Sequence, residues 1–276
     1  MTRICENFTR TSPDALHDAA HVHTKEGKMR TLRANPGAIV ATLCVLGAGT
    51  TTAGAQVTRV TTVHGGGTVI QMLPGPDAMA DSAAGVIAKA PAEKQQMLKM
   101  LAMKGPFSDD AVRIAGRFSG TFRDGGASGD SVAAVTTFTS QDGAHWRAVI
   151  DRIAPQDESP MEPHWGGVGT DVTYHGATGL GMPLVPTVRS QLSYYGMAHL
   201  YRNDRLVDDN AAVHVMLTSQ SRGKARGHDF AYTCWDCTKN PVEQLHLIIM
   251  PPMGKMYDVP GGIIHVMWQH SRGKTV

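Results

Sequence analysis

The chain of 276 residues is moderately apolar and nearly neutral, with 42% hydrophobic residues, 18% charged residues and a formal net charge of +2. This composition excludes wholesale disorder. The small net charge argues against a nucleic-acid-binding surface, which carries clustered Lys and Arg side chains. The 30 glycines and 15 prolines indicate many turns, as is typical of an all-β protein.

Residues 1–28 have no periodic apolar pattern, and two interpretations fit them. They are either a disordered leader or an upstream extension that results from a misassigned start codon. We favour the extension, because Met29 begins a segment that has the features of a true N-terminus.

Residues 29–55 have the layout of a secretory signal peptide. A basic segment at 29–33 precedes a short apolar run at 38–48, and residues 53–55 form the small-x-small pattern that a signal peptidase cuts. The apolar run is shorter than the roughly 20 residues that a membrane-spanning helix needs, although an uncleaved N-terminal anchor is the alternative. We therefore expect a periplasmic or secreted protein that has no membrane span after signal cleavage.

Residues 56–154 form a first predicted β-unit, which includes one short helical segment. A helix is expected to begin at Asp81 or Ser82 and to resume over 92–103, where strong helix formers repeat at helical spacing. Residues 111–153 alternate apolar and polar side chains, which predicts an antiparallel meander with one solvated face.

Residues 155–186 are rich in Pro and Gly, and we expect a long ordered loop there. Loops of this length in a compact domain are often functional. His164, Asp171 and His175 are its candidate site residues, because they could supply a base or a ligand. Ordinary polar loop residues are the alternative, and composition does not decide whether the loop joins two domains or two halves of one.

Residues 187–276 form a second β-unit, in which four short apolar runs each carry one central histidine. Each run predicts a strand, because apolar and β-branched residues dominate it and turn-forming residues flank it. Side chains alternate between the two faces of a strand, so each histidine points away from its two apolar neighbours. The four histidines are His199, His214, His246 and His265.

These histidines predict a metal site if their strands are neighbours in one sheet. Met216 and Met267 follow their histidines by two residues, on the same face. Imidazole with thioether favours copper, whereas several imidazoles with an open position suit zinc or non-haem iron. We take copper or zinc as the candidate cofactor. The alternative is that each histidine lies on a solvated face or is bonded across the sheet. Register decides between the two, and the sequence does not give register.

The cysteine positions predict one disulfide. Cys5 and Cys44 precede the mature chain, which leaves Cys234 and Cys237. In an oxidising compartment we expect this pair to form a disulfide. A redox-active pair and a metal site are the alternatives.

The expected fold is mainly β: an antiparallel β-sandwich or a jelly-roll-like pair of sheets, with one short helical segment near the mature N-terminus. The chain contains neither Gly-x-Ser-x-Gly nor His-Glu-x-x-His, so we lean toward a protein that is not an enzyme. The sequence thus predicts a non-catalytic binding or structural component of the cell envelope, with an envelope or membrane-protein partner. A metal-binding periplasmic protein that uses its strand histidines and methionines is the alternative.

Overall fold

The computed structural model describes residues 58–75, 80–92, 95, 96, 99, 108–125, 129–154, 166–252 and 254–276. Strands dominate these residues, and the fold is mainly β and antiparallel, as the sequence predicts. The elements are β1 Arg59–His64, β2 Val69–Met72, α1 Ala80–Lys89, β3 Ala111–Asp124, β4 Ser131–Thr139, β5 His145–Ile153, β6 Gly167–Tyr174, the 3-10 helix η1 Gly176–Thr178, β7 Val188–Arg202, β8 Arg205–Ser219, β9 Arg222–Ala225, β10 His228–Tyr232, β11 Glu243–Met250, β12 Ile264–Gln269 and β13 Arg272–Thr275.

Eight strands close into a barrel. The order around the barrel is β2, β3, β4, β5, β7, β8, β11, β12 and back to β2, and each neighbouring pair is antiparallel. Beside the barrel, β1 pairs with β3 and β13, β6 pairs with β7, and β9 pairs with β10. Both predicted β-units therefore supply strands to the same barrel.

The expectation of a sandwich or a jelly roll is wrong, because the sheet closes on itself. β3 pairs with β2 through residues 111–114 and with β4 through residues 115–123, which joins the two ends of the sheet. Alternation in the sequence predicts which side chains share a face. It does not say whether the last strand of a sheet pairs with the first.

The barrel interior is packed with apolar side chains. The ring centroids of Phe118 and Phe122 lie 6.4 Å apart, and those of Phe118 and Trp268 lie 5.6 Å apart. Val215 and Leu247 are fully buried in the same cluster. An eight-stranded barrel is just wide enough inside for side chains to fill it, so functional groups are to be sought on its outer face and at its ends.

The alternation of side chains places the predicted histidines on the outer face. The four histidine-bearing runs are β7, β8, β11 and β12, which are consecutive around the barrel. Leu245 and Leu247, which flank His246, belong to the interior cluster. His246 therefore points out of the barrel, and the same alternation applies to His214 and His265.

The helical prediction is confirmed in part. α1 spans Ala80–Lys89 and contains the predicted start at Asp81 or Ser82. Most of the second predicted segment, 92–103, lies outside the described residues. Within the described part of the chain, no helix is long and apolar enough to cross a membrane.

Candidate functional site

One imidazole lies between two thioethers on the outer face of the barrel. His246 on β11 is paired with Met216 on β8 and with Met267 on β12. Directly opposed residues of neighbouring strands share a face. The three side chains therefore form a row across three strands.

A second row lies beside the first. Ile248 on β11 is paired with His214 on β8 and with His265 on β12. His214 is 5% exposed and His265 is 4% exposed, so these outward-facing rings are nevertheless buried. We call the following residues the imidazole–thioether cluster: His175, His214, Met216, His246, His265 and Met267.

His246 and His265 contact each other directly. Nδ1 of His246 and Nε2 of His265 lie 3.4 Å apart, so one of these nitrogens donates a proton to the other. In either arrangement, one of the two remaining ring nitrogens keeps a lone pair and the other carries a proton. Neither His246 Nε2 nor His265 Nδ1 has a hydrogen-bond partner, although both are buried. The pair therefore always presents one unused lone pair.

His214 offers a second unused lone pair. Its Nδ1 lies 3.0 Å from the carbonyl oxygen of Tyr194, which only accepts, so Nδ1 donates and Nε2 of the neutral ring keeps its lone pair. This Nε2 atom is buried without a hydrogen-bond partner. The imidazole stacks on the ring of Tyr195, with 3.8 Å between centroids, which fixes its orientation.

His175 reaches the cluster from outside the barrel. The backbone N–H of Met182 donates to its Nδ1 over 2.9 Å, so in the neutral ring the proton lies on Nε2. That N–H donates to the Met216 sulfur, 3.2 Å away. His175 follows β6 and has a φ of 70°, in the left-handed region. The sequence predicts His175 in a separate loop site, whereas the structure places it over Met216.

An apolar layer covers the Met216 side of the cluster. Its buried members are Tyr174, Val188, Tyr195, Met216 and Cys237. Cys234 is half-buried against this layer and lies at disulfide distance from Cys237, with 5.5 Å between the two Cα atoms. The cysteine pair predicted from the sequence is thus part of the cover of the candidate site.

Arg222 and Asp109 form a buried ion pair near His246 and His265. Arg222 is fully buried and donates from Nη1 to the carbonyl oxygens of Ser108, 2.8 Å away, and Phe230, 3.1 Å away. Asp109 lies 4.0 Å from the same nitrogen and supplies the opposite charge.

Burial lowers the pKa of all four cluster histidines. It lowers the pKa of His175 to about 4, that of His214 to about 3 and that of His246 to about 3. The pKa of His265 falls well below its usual value, through burial first and then through the charges of His246 and Arg222. At neutral pH the four rings are therefore neutral.

His199 lies apart from the cluster. Its Nδ1 is 2.5 Å from Asp209 Oδ1, and its Nε2 is 3.3 Å from Asp151 Oδ2. It follows Tyr195, which is paired with His214, by four residues, a separation of roughly 13 Å along a strand. The structure therefore brings three of the four strand histidines together and leaves His199 at a partly exposed site between two carboxylates.

The predicted loop site is also divided. Asp171 is exposed on β6, where it forms an ion pair with Arg59 over 2.7 Å and faces Arg189 at 3.6 Å. His175 lies over the imidazole–thioether cluster instead. His164 lies outside the described residues.

The donor set determines which chemistry the cluster supports. Among the described residues, no group of three or more His, Cys, Asp or Glu side chains is arranged to hold a metal ion. What the cluster provides is two imidazoles in contact, His246 and His265, with a thioether on either side of His246. A site with only two imidazole nitrogens and with thioether sulfur suits a soft metal ion.

Comparison with known protein families, curated proteins and solved structures finds no match for this chain.

Proposed function

We propose that the protein is an exported, non-catalytic binding protein whose ligand is a soft monovalent metal ion, Cu(I). His246 and His265 supply imidazole nitrogen, and Met216 and Met267 supply thioether sulfur. The observation that carries this proposal is the contact of His246 Nδ1 with His265 Nε2 between two neutral imidazoles, beside two methionines. His265 is buried and His246 is half-buried, and the other nitrogen of each ring has no hydrogen-bond partner.

The spacing of the two rings suits one shared metal ion. Two nitrogens that bind one ion at about 2.0 Å each lie about 3.3 Å apart at a tetrahedral angle and about 4 Å apart when collinear. The 3.4 Å between His246 Nδ1 and His265 Nε2 falls within this range. The metal ion takes the place of the proton between the two nitrogens, and that proton moves to the unprotonated nitrogen of its own ring, so both rings stay neutral. The rings separate by about half an ångström or less.

Copper(I) fits this donor set better than zinc. Zinc in proteins is held by three or four nitrogen, oxygen or thiolate ligands, and the described residues contain no such group. Thioether sulfur favours a soft ion. Burial lowers the pKa of His246 and His265 most, and the positive charge of Arg222 lowers it further. The same charge opposes a divalent cation more strongly than a monovalent one.

The protonation state of the cluster favours binding over catalysis. An imidazole must lose its proton before it binds a metal ion, so neutral rings bind without proton competition. A histidine with a pKa of about 3, such as His214 or His246, is a poor general base at neutral pH, because the best catalytic pKa lies near the working pH.

A competition titration tests the proposal. Untagged protein is titrated with Cu(I) against a chromogenic Cu(I) chelator, and we expect one equivalent of copper to be withheld from the chelator. His246→Leu should weaken copper binding by more than about a hundredfold. Loss of a residue that only orients a metal ligand already lowers metal affinity 10–100-fold, and His246 is a ligand itself. His199→Leu, the same change on the same barrel surface but outside the cluster, should bind as the wild type does. A wild-type protein that withholds no copper refutes the proposal.

The site of action is a second part of the proposal. The signal-peptide pattern at residues 29–55 supports a periplasmic or secreted location, where an envelope or membrane-protein partner is met. Fractionation of cells that express the full-length chain tests this location. Recovery of the processed chain outside the cytoplasm is expected, and an unprocessed chain found only in the cytoplasm refutes it.

A further inference from the structure

We infer that Cys234 and Cys237, once reduced by a dithiol, form a second Cu(I) site beside Met216. The inference goes beyond the proposed function and shares with it only the class of ligand. Thiolate sulfur is the side-chain donor that soft metal ions prefer. The two cysteines are three residues apart and their Cα atoms are separated by 5.5 Å, so both sulfurs can bind one ion.

The loop that carries the cysteines is held by backbone hydrogen bonds that do not involve sulfur. Thr187 N–H donates to the carbonyl oxygen of Trp235, and Cys237 N–H donates to that of Thr187, each over 2.8 Å. The N–H of Thr233 donates to the carbonyl oxygen of Ser221 over 2.9 Å. These bonds remain when the disulfide is cleaved. The sulfurs therefore stay close enough for one ion, since two Cu–S bonds of about 2.3 Å span at most about 4.6 Å.

The two sulfurs differ in accessibility, and this difference decides which sulfur the reductant attacks. Cys234 is half-buried, whereas Cys237 is 2% exposed. A thiolate of the dithiol attacks the Cys234 sulfur and forms a mixed disulfide, and the Cys237 sulfur leaves as a thiolate. The second thiol of the reductant then attacks the mixed disulfide and releases the Cys234 thiolate. The reductant becomes a disulfide, and two electrons pass to the protein.

The surroundings favour copper(I) over zinc at this second site. A zinc site needs two further ligands, and no described His, Cys, Asp or Glu group completes one. Met216, which the proposed function assigns to the histidine site, is buried in the same apolar cluster as Cys237, so the two sites are neighbours. Two thiolates satisfy Cu(I), and binding of the ion releases the protons that the two thiols carry.

Counting bound copper tests the inference. The full-length chain carries Cys5→Ser and Cys44→Ser, so that Cys234 and Cys237 are its only cysteines. One sample is kept oxidised, and another is reduced with dithiothreitol and freed of it without air. Both are loaded with Cu(I) and weighed by native mass spectrometry. We expect one copper ion on the oxidised protein and two on the reduced protein.

Two variants separate the sites. In the same background, Cys234→Ser/Cys237→Ser should bind one copper ion whether or not it is reduced. His246→Leu should bind none when oxidised and one when reduced. Circular dichroism of each sample shows whether the barrel is folded. A folded, reduced protein that binds no more copper than the oxidised one overturns the inference. If the oxidised protein binds none and the reduced one binds one, the proposed function fails and the cysteine site stands.

Discussion

Replacement of both contacting imidazoles by leucine should stabilise the metal-free protein. His246 Nε2 and His265 Nδ1 are buried without a hydrogen-bond partner. Each such group costs about 1–3 kcal/mol, and the single hydrogen bond between the rings returns only about 0.5–1.5 kcal/mol. Leucine has a similar size and no polar atom. We therefore expect His246→Leu/His265→Leu to raise the free energy of unfolding by about 1–5 kcal/mol.

Urea unfolding in the presence of a copper chelator measures this change. The midpoint should rise with an unchanged slope, because the surface exposed on unfolding is nearly the same. Leu247→Ala is the matched control, since Leu247 directly follows His246 on β11 but points into the barrel. It should cost about 2–5 kcal/mol through the cavity it leaves.

Addition of Cu(I) should narrow or reverse this difference in stability. At a free concentration one hundred times the dissociation constant, a bound ligand adds about 2.7 kcal/mol to the native state. The wild type should gain this amount, and the double variant should gain nothing. If the double variant is instead less stable than the wild type in chelator, the two imidazoles serve the fold, and the argument from unpartnered nitrogens fails.

Three further predictions concern the surroundings of the cluster. Lowering the pH from about 6.5 to 4 should destabilise the protein by up to ~1.4 kcal/mol per pH unit for each cluster histidine. When folded, the pKa is about 4 for His175 and about 3 for His214 and His246, and that of His265 lies well below the 6.5 of the unfolded chain, so the unfolded chain takes up more protons. Urea midpoints across this range should fall less steeply for the double leucine variant. His175→Phe should strengthen Cu(I) binding about fivefold in the chelator titration, because it frees the Met216 sulfur from a hydrogen bond worth about 1 kcal/mol; unchanged or weaker binding contradicts that role. Asp109→Asn should weaken Cu(I) binding in the same titration, because it leaves the positive charge of Arg222 less compensated. Equal affinity in the variant and the wild type would show that the charge of Arg222 does not affect copper binding.

The sequence predicts the strands and their faces well, because these depend on local alternation. The run around His246 has apolar residues on both sides, and the structure places Leu245 and Leu247 inside the barrel and His246 outside. Closure of the barrel could not be predicted, because it depends on β3 pairing with both β2 and β4. Such pairing is a property of distant segments and leaves no mark on local periodicity.

The candidate site could be predicted only in part. His199 and His214 have the same local pattern, yet His199 lies between two carboxylates and His214 stacks on Tyr195. Register and strand bulges separate them, and β7 is irregular beside His199. His175 was missed as a member of the cluster because it contacts Met216 from a loop 41 residues away. The one local sign was its place in a Gly-rich turn.

Copper X-ray absorption of the oxidised, Cu(I)-loaded protein tests the central claim most directly. Coordination by His246 and His265 with methionine predicts nitrogen scatterers at about 2.0 Å together with sulfur at about 2.3 Å. The sulfur shell should weaken in Met216→Leu/Met267→Leu, while the nitrogen shell remains. A spectrum with nitrogen or oxygen scatterers alone, identical in the wild type and in that variant, would contradict copper binding by this cluster.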